Sequence, residues 1–370
     1  MQISSKYERV GIVSTAQTKL RAAWANAQHI DLISSVVQRA LKGSGLRIQD
    51  VDFVIDSGSD VLDGRSISNC GFLGAMGAHH KEESRVEDDG LCAALYGVTK
   101  IASGSADIGL IIAYSKPSES DVGKYYATLA DPFYQRIVGL DENTASGLMA
   151  QHYLNKYSLS EEILGEVAVS AWSRAATNSS IELSEVPDLS QVMSSKMVSS
   201  PLRQLMMARP VDGAVAIILA SERFAKRLSS KPVWVTGMGM SMDSNNFTMR
   251  EPGLSACSKA ANMAYARAGI NSDNIRLAEL SSTSAIGELL AIEALGLGVP
   301  GRGIDVIRGS RGKHINASGG AIAANPIMAT GLVRLAEATE RIKDTNAASA
   351  LVHGSSGIGA QSHCVFVIEV

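Results

Sequence analysis

One stretch of this 370-residue chain occurs twice, and that internal repeat limits the possible folds more than any other feature. The segment from Ala40, ALKGSGLRIQDVDFVIDSGSD, is matched by the segment from Ala264, AYARAGINSDNIRLAELSSTS. Each contains the end of an amphipathic helix, a glycine that stops it, a polar turn and a short apolar strand. The stop glycines, Gly45 and Gly269, are 224 residues apart, and the following strands keep that offset. We therefore interpret the chain as two copies of one unit.

The sequence around the repeated segments extends this similarity. A β-like opening, ERVGIVSTAQ or KPVWVTGMGM, precedes each helix, and a strand, turn, helix and strand follow each repeated strand. The strands have continuous apolar runs, which favour a buried sheet of parallel character. We predict an α/β protein of two tandem halves, residues 1–228 and 229–370, with a covering insertion at about 115–200.

Composition and charge exclude several classes of partner. The net charge is −3 and the basic residues form no cluster, so we expect neither nucleic acid nor a membrane surface as a partner. The chain begins without an apolar signal-type run and has no apolar stretch of about 18 residues, so we expect a soluble, cytoplasmic protein. Its four cysteines lie far apart without a CxxC pair, which predicts no metal site and no disulfide framework.

Four strings resemble sequences of the thiolase superfamily, and the sterol-carrier-protein type of thiolase is the most similar. HINASGGAIAANPIMATG resembles the glycine-rich thiolase signature, and AELSSTSAIGELLAIEALGL resembles the segment that carries N-E-A-F or H-D-C-F. VDGAVAIILASERFAKRL resembles the strand that closes the first half of a thiolase, and ALVHGSSGIGAQ resembles the last catalytic loop. The resemblance implies a five-layered αβαβα thiolase fold, at least a homodimer, and an active site between the halves.

A working thiolase needs a nucleophilic cysteine, a histidine to activate it, a second acid/base group and an oxyanion hole. The family's cysteine position falls near Glu87 or Gly90 in this chain, depending on the anchor used. Cys92 fits neither position; it is a nucleophile only if its helix starts late, and otherwise it is a buried structural thiol. Asp89 is equally consistent with a helix cap and with a chemical group.

The second half departs from the thiolase pattern as well. Asn325 replaces the histidine of the G-H-P motif, and an asparagine cannot take the cysteine's proton. Ser281 to Ser284 replace the acid/base motif and offer hydroxyls only. His353 matches a histidine of the sterol-carrier type and is the group expected to titrate near neutral pH, with a hydrogen-bonded structural histidine as the alternative. The resemblance therefore implies five catalytic residues: His353, Asn325, Cys92, Asp89 and Ser281. It also implies three residues that hold the substrate or an oxyanion: Asn316, Gly357 and Ser282.

Functions of two different classes agree with these substitutions. The first is an acyl-CoA-processing enzyme that makes or breaks a carbon–carbon bond of a CoA thioester by retro-aldol or Claisen chemistry. The resemblance then implies a small partner with an OB fold and a zinc ribbon, no cofactor bound by this chain, and coenzyme A as part of the substrate. The second is a catalytically degenerate subunit that supports an active paralogue. A true thiolase that uses Cys92 is a third hypothesis.

Overall fold

The computed structural model describes residues 7–345 and 347–370. The strands are β1 Val10–Gln17, β2 Phe53–Ser57, β3 Glu82–Val86, β4 Ile108–Ser115, β5 Met197–Ser199, β6 Leu202–Arg203, β7 Gly213–Ser221, β8 Val233–Met242, β9 Leu277–Leu280, β10 Ser349–Ser356 and β11 Ser362–Glu369. The α-helices are α1 His29–Ser44, α2 Asp60–Asp63, α3 Leu73–Met76, α4 Gly90–Ala102, α5 Val122–Thr128, α6 Glu142–Tyr157, α7 Glu162–Ala175, α8 Leu189–Ser194, α9 Glu222–Leu228, α10 Ser255–Ala268, α11 Ala285–Ala294, α12 Gly303–Arg308, α13 Gly320–Ala323 and α14 Thr330–Asp344.

The strands other than β5 and β6 form a nine-stranded sheet in the order β3-β2-β4-β7-β1-β8-β11-β10-β9. Its two parts meet where β1 pairs with β8, from Val10↔Val235 to Ile12↔Val233. β2 is parallel to β3 and β4, and β9 is parallel to β10. In contrast, β7 and β11 run antiparallel to their neighbours, so each half is a mixed sheet. The sequence did not reveal this because a fully buried strand such as β7 has the same apolar run in either direction.

The predicted repeat appears as pairs of equivalent elements. α1 is followed by Gly45 and α10 by Gly269, and both glycines are left-handed, with φ of +71° and +69°. Glycine adopts this conformation at little cost, which explains its use as a helix stop. The second half differs from the first in the strand equivalent to β3. In the second half this strand is reduced to a single parallel bridge, Ala278↔Ile315.

The helices complete the five layers that the resemblance implied. α1 packs on the outer face of β1 and β7, and α10 packs on the outer face of β8 and β11. α4 contacts β2 and β4 on one side and β10 and β11 on the other, while α14 contacts β9, β10, β1 and β7. α4 and α14 therefore form a central layer between the two halves of the sheet, and the predicted αβαβα fold is confirmed.

The segment between β4 and β7 contains α5 to α8, and its helices α6 and α7 pack against α11 of the second half. This packing brings the start of α6 to the end of β9, where the candidate site lies. α9 ends at Leu228 and β8 begins at Val233, while the domain boundary at residue 228 stays a prediction. None of the helices in the described part of the chain is both long and apolar enough to cross a membrane.

Candidate active site

The N-terminus of α4, where a thiolase carries its cysteine, is occupied by Asp89. Its Oδ1 accepts a hydrogen bond from the backbone N–H of Leu91 at 2.9 Å, and its Oδ2 accepts one from the N–H of Gly331 at 2.8 Å. Burial raises the pKa of Asp89 to about 7, against the opposing effect of these two hydrogen bonds. Asp89 is therefore the N-cap of α4 and its link to α14, and both of its oxygens are engaged.

Cys92 lies in the first turn of α4, but its thiol is buried in the central layer. Contact with the Cys364 thiol, followed by burial, raises the pKa of Cys92 well above its ordinary value. A nucleophilic cysteine needs a lowered pKa and access to the substrate. The environment of Cys92 provides neither, so it supports the structural alternative and disfavours the nucleophile hypothesis.

The loop between β3 and α4 carries two more carboxylates at the family's cysteine position. Glu87 is exposed and accepts hydrogen bonds from the Ser59 hydroxyl at 3.1 Å and the Asp60 N–H at 3.2 Å. The carboxylate of Asp88 accepts a hydrogen bond from the hydroxyl of Ser356 at the end of β10. Polar contacts thus tie this loop to both halves, and neither of these side chains is a nucleophile of cysteine type.

A small cavity of about 10 Å³ lies between the start of α6, the loop from β9 to α11, and the turn from β10 to β11. We call it the serine cavity because Ser281 to Ser284 form one of its walls. The other lining residues are Glu142, Ser146, Met149, Leu254, Gly287, His353, Ser355, Gly359 and Ala360. The fold therefore brings together Ser281, Ser282 and His353 around one cavity.

Glu142 is the carboxylate of the serine cavity, and sequence analysis missed it. Its Oε1 accepts hydrogen bonds from Thr283 Oγ1 at 2.5 Å and Ser146 Oγ at 3.2 Å, and its Oε2 accepts one from the Gly359 N–H at 2.8 Å. Only 3% of Glu142 is exposed, and this burial raises its pKa despite the hydrogen bonds. In the sequence it follows the N-cap Asp141 and resembles an ordinary first-turn acid, so no local signal identifies it.

Ser281 and Ser282 contribute to the cavity in different ways. The N–H of Ser281 donates to the carbonyl of His353 at 2.9 Å, and its carbonyl accepts from the Ser355 hydroxyl at 2.9 Å. The hydroxyl of Ser282 is buried and has no hydrogen-bond partner among residues 7–345 and 347–370. α11 begins three residues later, with Ser284 as its N-cap. Ser281 thus fixes the backbone, and Ser282 presents a hydroxyl that can bind a ligand.

His353 lines the serine cavity but does not titrate as expected. Burial, followed by the nearby His363, lowers the pKa of His353 well below its ordinary value. Its Nε2 lies 3.0 Å from Nδ1 of His363, and the two rings are stacked. The expectation of a group that titrates near neutral pH is therefore wrong, because the burial of His353 and its contact with His363 arise only in the folded chain.

Asn325 lies at the boundary between the covering segment and the central layer. Its Oδ1 accepts a hydrogen bond from Thr330 Oγ1 at 2.6 Å, which leaves the amide nitrogen for another contact. The side chain of Tyr126 on α5 interacts with Asn325 and with the charge of Glu142. Burial and Glu142 together raise the pKa of Tyr126, so its hydroxyl stays protonated. The charge of Glu142 thus reaches Tyr126, while Tyr126 and Asn325 both lie outside the lining of the serine cavity.

Asn316 and Gly357 lie outside the lining of the serine cavity. Asn316 Oδ1 accepts a hydrogen bond from the Leu280 N–H at 2.6 Å and so fixes the end of β9. Gly357 adopts φ of +73° in the turn after β10, and Gly359 is the residue of that turn that contacts Glu142. This geometry gives Asn316 and Gly357 structural duties and does not support the predicted contacts with a substrate oxygen.

A larger pocket of about 450 Å³ adjoins the serine cavity. The two share Met149, Leu254, Gly359 and Ala360. Apolar and aromatic side chains form about half of its lining, and the charged lining residues are three basic and three acidic ones: His152, Lys156, Arg250, Asp243, Glu251 and Glu293. A pocket of this size accommodates an extended organic ligand.

Sequence comparison places the second half in a known family. Residues 239–369 match the family model described as Thiolase C-terminal domain-like. The acetyl-CoA acetyltransferase of Methanothermobacter thermautotrophicus is 26% identical over 352 residues, which cover 90% of this chain and 91% of that protein. Sterol carrier protein 2 of Oryctolagus cuniculus is 28% identical over 271 residues, which cover 67% of this chain and 50% of that protein.

Structural comparison extends the similarity to the first half. The structure of an Ltp2-ChsH2(DUF35) aldolase aligns with a TM-score of 0.83 at 20% identity and covers 98% of both chains. A monomeric SCP2-thiolase like protein type 1 from Mycobacterium smegmatis aligns with a TM-score of 0.77 at 19% identity, covering 97% of this chain and 76% of that one. At these identities the alignments establish a common fold.

Proposed function

We propose that this chain, which belongs to the thiolase superfamily, makes or breaks a carbon–carbon bond of a CoA thioester by aldol chemistry, without an acyl-enzyme. The observation that carries the proposal is Glu142, a buried carboxylate that shares a cavity with the Ser282 hydroxyl, which has no hydrogen-bond partner in the described part of the chain. Aldol cleavage needs a base and donors to an enolate oxygen, and it needs no nucleophilic residue. The serine cavity contains both kinds of group.

The start of α4 supports the same conclusion from the opposite side. Thiolysis and Claisen condensation pass through an acyl-cysteine in this family, and the cysteines near the start of α4 are Cys92 and Cys364, both buried. Because Cys92 is buried and its thiol pKa is raised, an acyl group has no thiolate to attack it there. The retro-aldol branch of the sequence-based hypothesis is therefore favoured over the Claisen branch.

The proposed cleavage proceeds in one balanced sequence of proton and electron movements. The Glu142 carboxylate takes the proton of the substrate's β-hydroxyl, and the β carbon–oxygen bond becomes a carbonyl as the bond between the α and β carbons breaks. The electron pair of that bond forms the thioester enolate, whose oxygen is stabilised by the Ser282 hydroxyl and the first N–H groups of α11. Glu142 then returns its proton to the α carbon. Condensation is the reverse.

The raised pKa of Glu142 suits this role. A carboxylate of ordinary pKa is a weak base near neutral pH, and burial raises the pKa of Glu142, which makes its carboxylate a stronger base. The charge of the same carboxylate reaches Tyr126, whose side chain also interacts with Asn325, and we assign Tyr126 and Asn325 to holding the aldehyde or ketone oxygen of the departing product. The lowered pKa of His353 makes it a weaker base, so we assign the proton transfer to Glu142.

The larger pocket fits the pantetheine arm of the substrate. About half of its lining is apolar, and it adjoins the serine cavity. Its basic side chains, which suit the phosphates of coenzyme A, share the pocket with three carboxylates: His152, Lys156 and Arg250 with Asp243, Glu251 and Glu293. Coenzyme A thus enters as part of the substrate, and the proposed reaction needs no other cofactor.

A partner protein is part of the proposal. Four apolar side chains of the covering segment are at least 74% exposed: Phe133, Tyr134, Ile137 and Val138. Clustered exposed apolar residues are typical of protein-binding surfaces. Because an Ltp2-ChsH2(DUF35) aldolase shares this fold, we propose that a small protein with an OB fold and a zinc ribbon covers this surface. The edge strand β3, which pairs on one side only within the described sheet, is the proposed homodimer contact.

The test uses the purified chain, alone and with any small protein that copurifies with it. Panels of β-hydroxyacyl-CoA and β-ketoacyl-CoA are supplied, and the release of aldehyde or ketone is followed together with the consumption of free CoA. We expect cleavage of β-hydroxyacyl-CoA to a carbonyl compound and a shorter acyl-CoA. Absence of turnover in every combination contradicts the proposal and favours the alternative, a degenerate subunit that supports an active paralogue.

A further inference from the structure

Three residues that are distant in the sequence converge behind the serine cavity: Cys257 on α10, His353 on β10 and His363 on β11. The Cys257 sulfur and one ring nitrogen of each histidine all lie within 4.8 Å of one another. Each of the three side chains is at most 1% exposed. β10 and β11 pair directly, with His353 opposite Val365, and α10 packs on β11, so regular structure holds the cluster in place.

The hydrogen bonding of the two histidines is incomplete without a further group. Two neutral imidazoles carry two N–H groups, and the contact between His353 Nε2 and His363 Nδ1 uses one of them. The other proton lies on His353 Nδ1 or His363 Nε2, and both atoms are buried without a partner in the described structure. The carbonyl of Ala360 lies near His363 but forms no hydrogen bond of normal geometry with it. Buried polar groups in proteins nearly always have a partner, so this arrangement indicates a missing ligand.

We propose that Cys257, His353 and His363 bind a zinc ion. One thiolate and two imidazoles are ligands that zinc prefers, and three protein ligands are typical of a zinc site with an open fourth position. Tetrahedral zinc places its sulfur and nitrogen ligands roughly 3.4 to 3.6 Å apart. The observed separations, within 4.8 Å, differ from these values by at most roughly 1.4 Å.

The fourth position has a natural occupant, because His353 also lines the serine cavity. A water molecule or a substrate oxygen in that cavity can complete the tetrahedron. Sequence motifs predicted no metal site, because such motifs detect only ligands that are close together along the chain. Here the ligands come from three elements, and only the fold brings them together.

Zinc content and metal spectroscopy test this inference independently of turnover, so its failure is distinguishable from failure of the proposed function. The purified full-length chain is stripped with a chelator, reloaded with Zn²⁺, dialysed and analysed by mass spectrometry for bound metal. A parallel sample is loaded with Co²⁺, whose absorption shows a thiolate-to-metal band and tetrahedral coordination. We expect one zinc per chain and both spectral features in the wild-type protein.

Cys257→Ser and His363→Ala are each expected to weaken zinc binding at least tenfold. Cys257→Ser should also abolish the thiolate-to-metal band of the cobalt-loaded protein. Cys92→Ser is the matched control, because it also removes a buried thiol but lies outside the cluster, and it should bind zinc as the wild type does. A wild-type chain that retains no zinc overturns the proposal, and so does a Cys257→Ser chain with unchanged affinity. If a variant does not fold, the wild-type cobalt spectrum decides: absence of the thiolate band overturns the inference.

Discussion

At the scale of single residues, the chemistry depends on side chains that the sequence identified unevenly. Ser282 was expected to be a site residue because of its position in the family's acid/base motif. It lines the serine cavity, and its hydroxyl has no hydrogen-bond partner among residues 7–345 and 347–370. Glu142 could not be predicted, because a glutamate after a helix cap is common and its contacts with Thr283 and Gly359 join residues more than 140 positions apart. Side-chain function here follows from burial, which local sequence does not encode.

Replacement of the proposed base gives the first prediction. Glu142→Gln keeps the size of the side chain but cannot take a proton, so we expect turnover of β-hydroxyacyl-CoA to fall about 100-fold or more. Stability should change little, since an amide oxygen still accepts hydrogen bonds. Steady-state kinetics and thermal unfolding measure both effects, with Glu185→Gln, an exposed loop position, as the matched control. Retention of most of the activity by Glu142→Gln contradicts the assignment.

Removal of the central-layer thiol gives the second prediction. Cys92→Ala should leave the rate of carbonyl release nearly unchanged and lower the free energy of unfolding by about 1 to 2 kcal/mol, because a buried sulfur is lost from the core. Kinetics and urea denaturation are the measurements. An acyl adduct on Cys92 in the mass spectrum of the wild-type protein, together with an inactive variant, would restore the thiolase hypothesis.

At the scale of elements, sequence patterns predicted the helices and strands of the repeat because their signals are local. The left-handed glycines after α1 and α10 and the buried runs of β2 and β9 are examples. The antiparallel direction of β7 and the reduction of the strand near Ile315 to one bridge were not predictable, since both depend on which strand lies next to which. The start of α4 lies between these cases: Asp89 was recognised as a possible cap, but its bond to Gly331 spans the two halves.

This cap leads to a prediction about pH and stability. The pKa of Asp89 is about 7 in the folded protein and near 3.8 in the unfolded chain, so the folded state binds the proton more tightly. The contribution of Asp89 to the free energy of unfolding is fully present below about pH 4 and is lost as the pH rises through 7. The free energy of unfolding then falls by at most about 1.4 kcal/mol per pH unit. Asp56, whose pKa is raised by burial to about 8, acts in the same direction.

The variant Asp89→Asn cannot ionise and should show a flatter decline of unfolding free energy between pH 4 and pH 7 than the wild type. At pH 5 it should also be less stable by about 1 to 3 kcal/mol if its amide N–H₂ group faces a backbone N–H. Urea denaturation at several pH values measures both quantities. Parallel pH profiles for the two proteins would refute the assigned pKa.

At the scale of the whole molecule, the doubled five-layered fold followed from the repeat and the four family-like strings. The resemblance also implied an active site between the halves, but it did not reveal the carboxylate at the start of α6, which lies next to the end of β9 and the turn after β10. The exposed apolar side chains near Phe133 and Ile137 are a further property of the whole surface. Sequence does not show which apolar side chains are exposed, because the complete fold determines which of them are buried in a core.

Substitution on this surface gives a prediction about assembly. Phe133→Ser with Ile137→Ser should abolish copurification of the small partner while thermal unfolding stays nearly unchanged, because both side chains are already about three-quarters exposed. Affinity purification followed by mass spectrometry detects the partner. Met242→Ser, which replaces another exposed apolar residue at the end of β8, is the control. A partner that still copurifies with the double variant is bound elsewhere.

The central claim is that this thiolase-fold chain cleaves a carbon–carbon bond without an acyl-enzyme. The most direct test is the product balance when the chain and its partner act on a β-hydroxyacyl-CoA with no free CoA added. We expect equal molar amounts of an aldehyde or ketone and a shortened acyl-CoA. The wild type and Cys92→Ala should form these products at the same rate. A reaction that proceeds only when free CoA is supplied, and only while Cys92 is present, would contradict it.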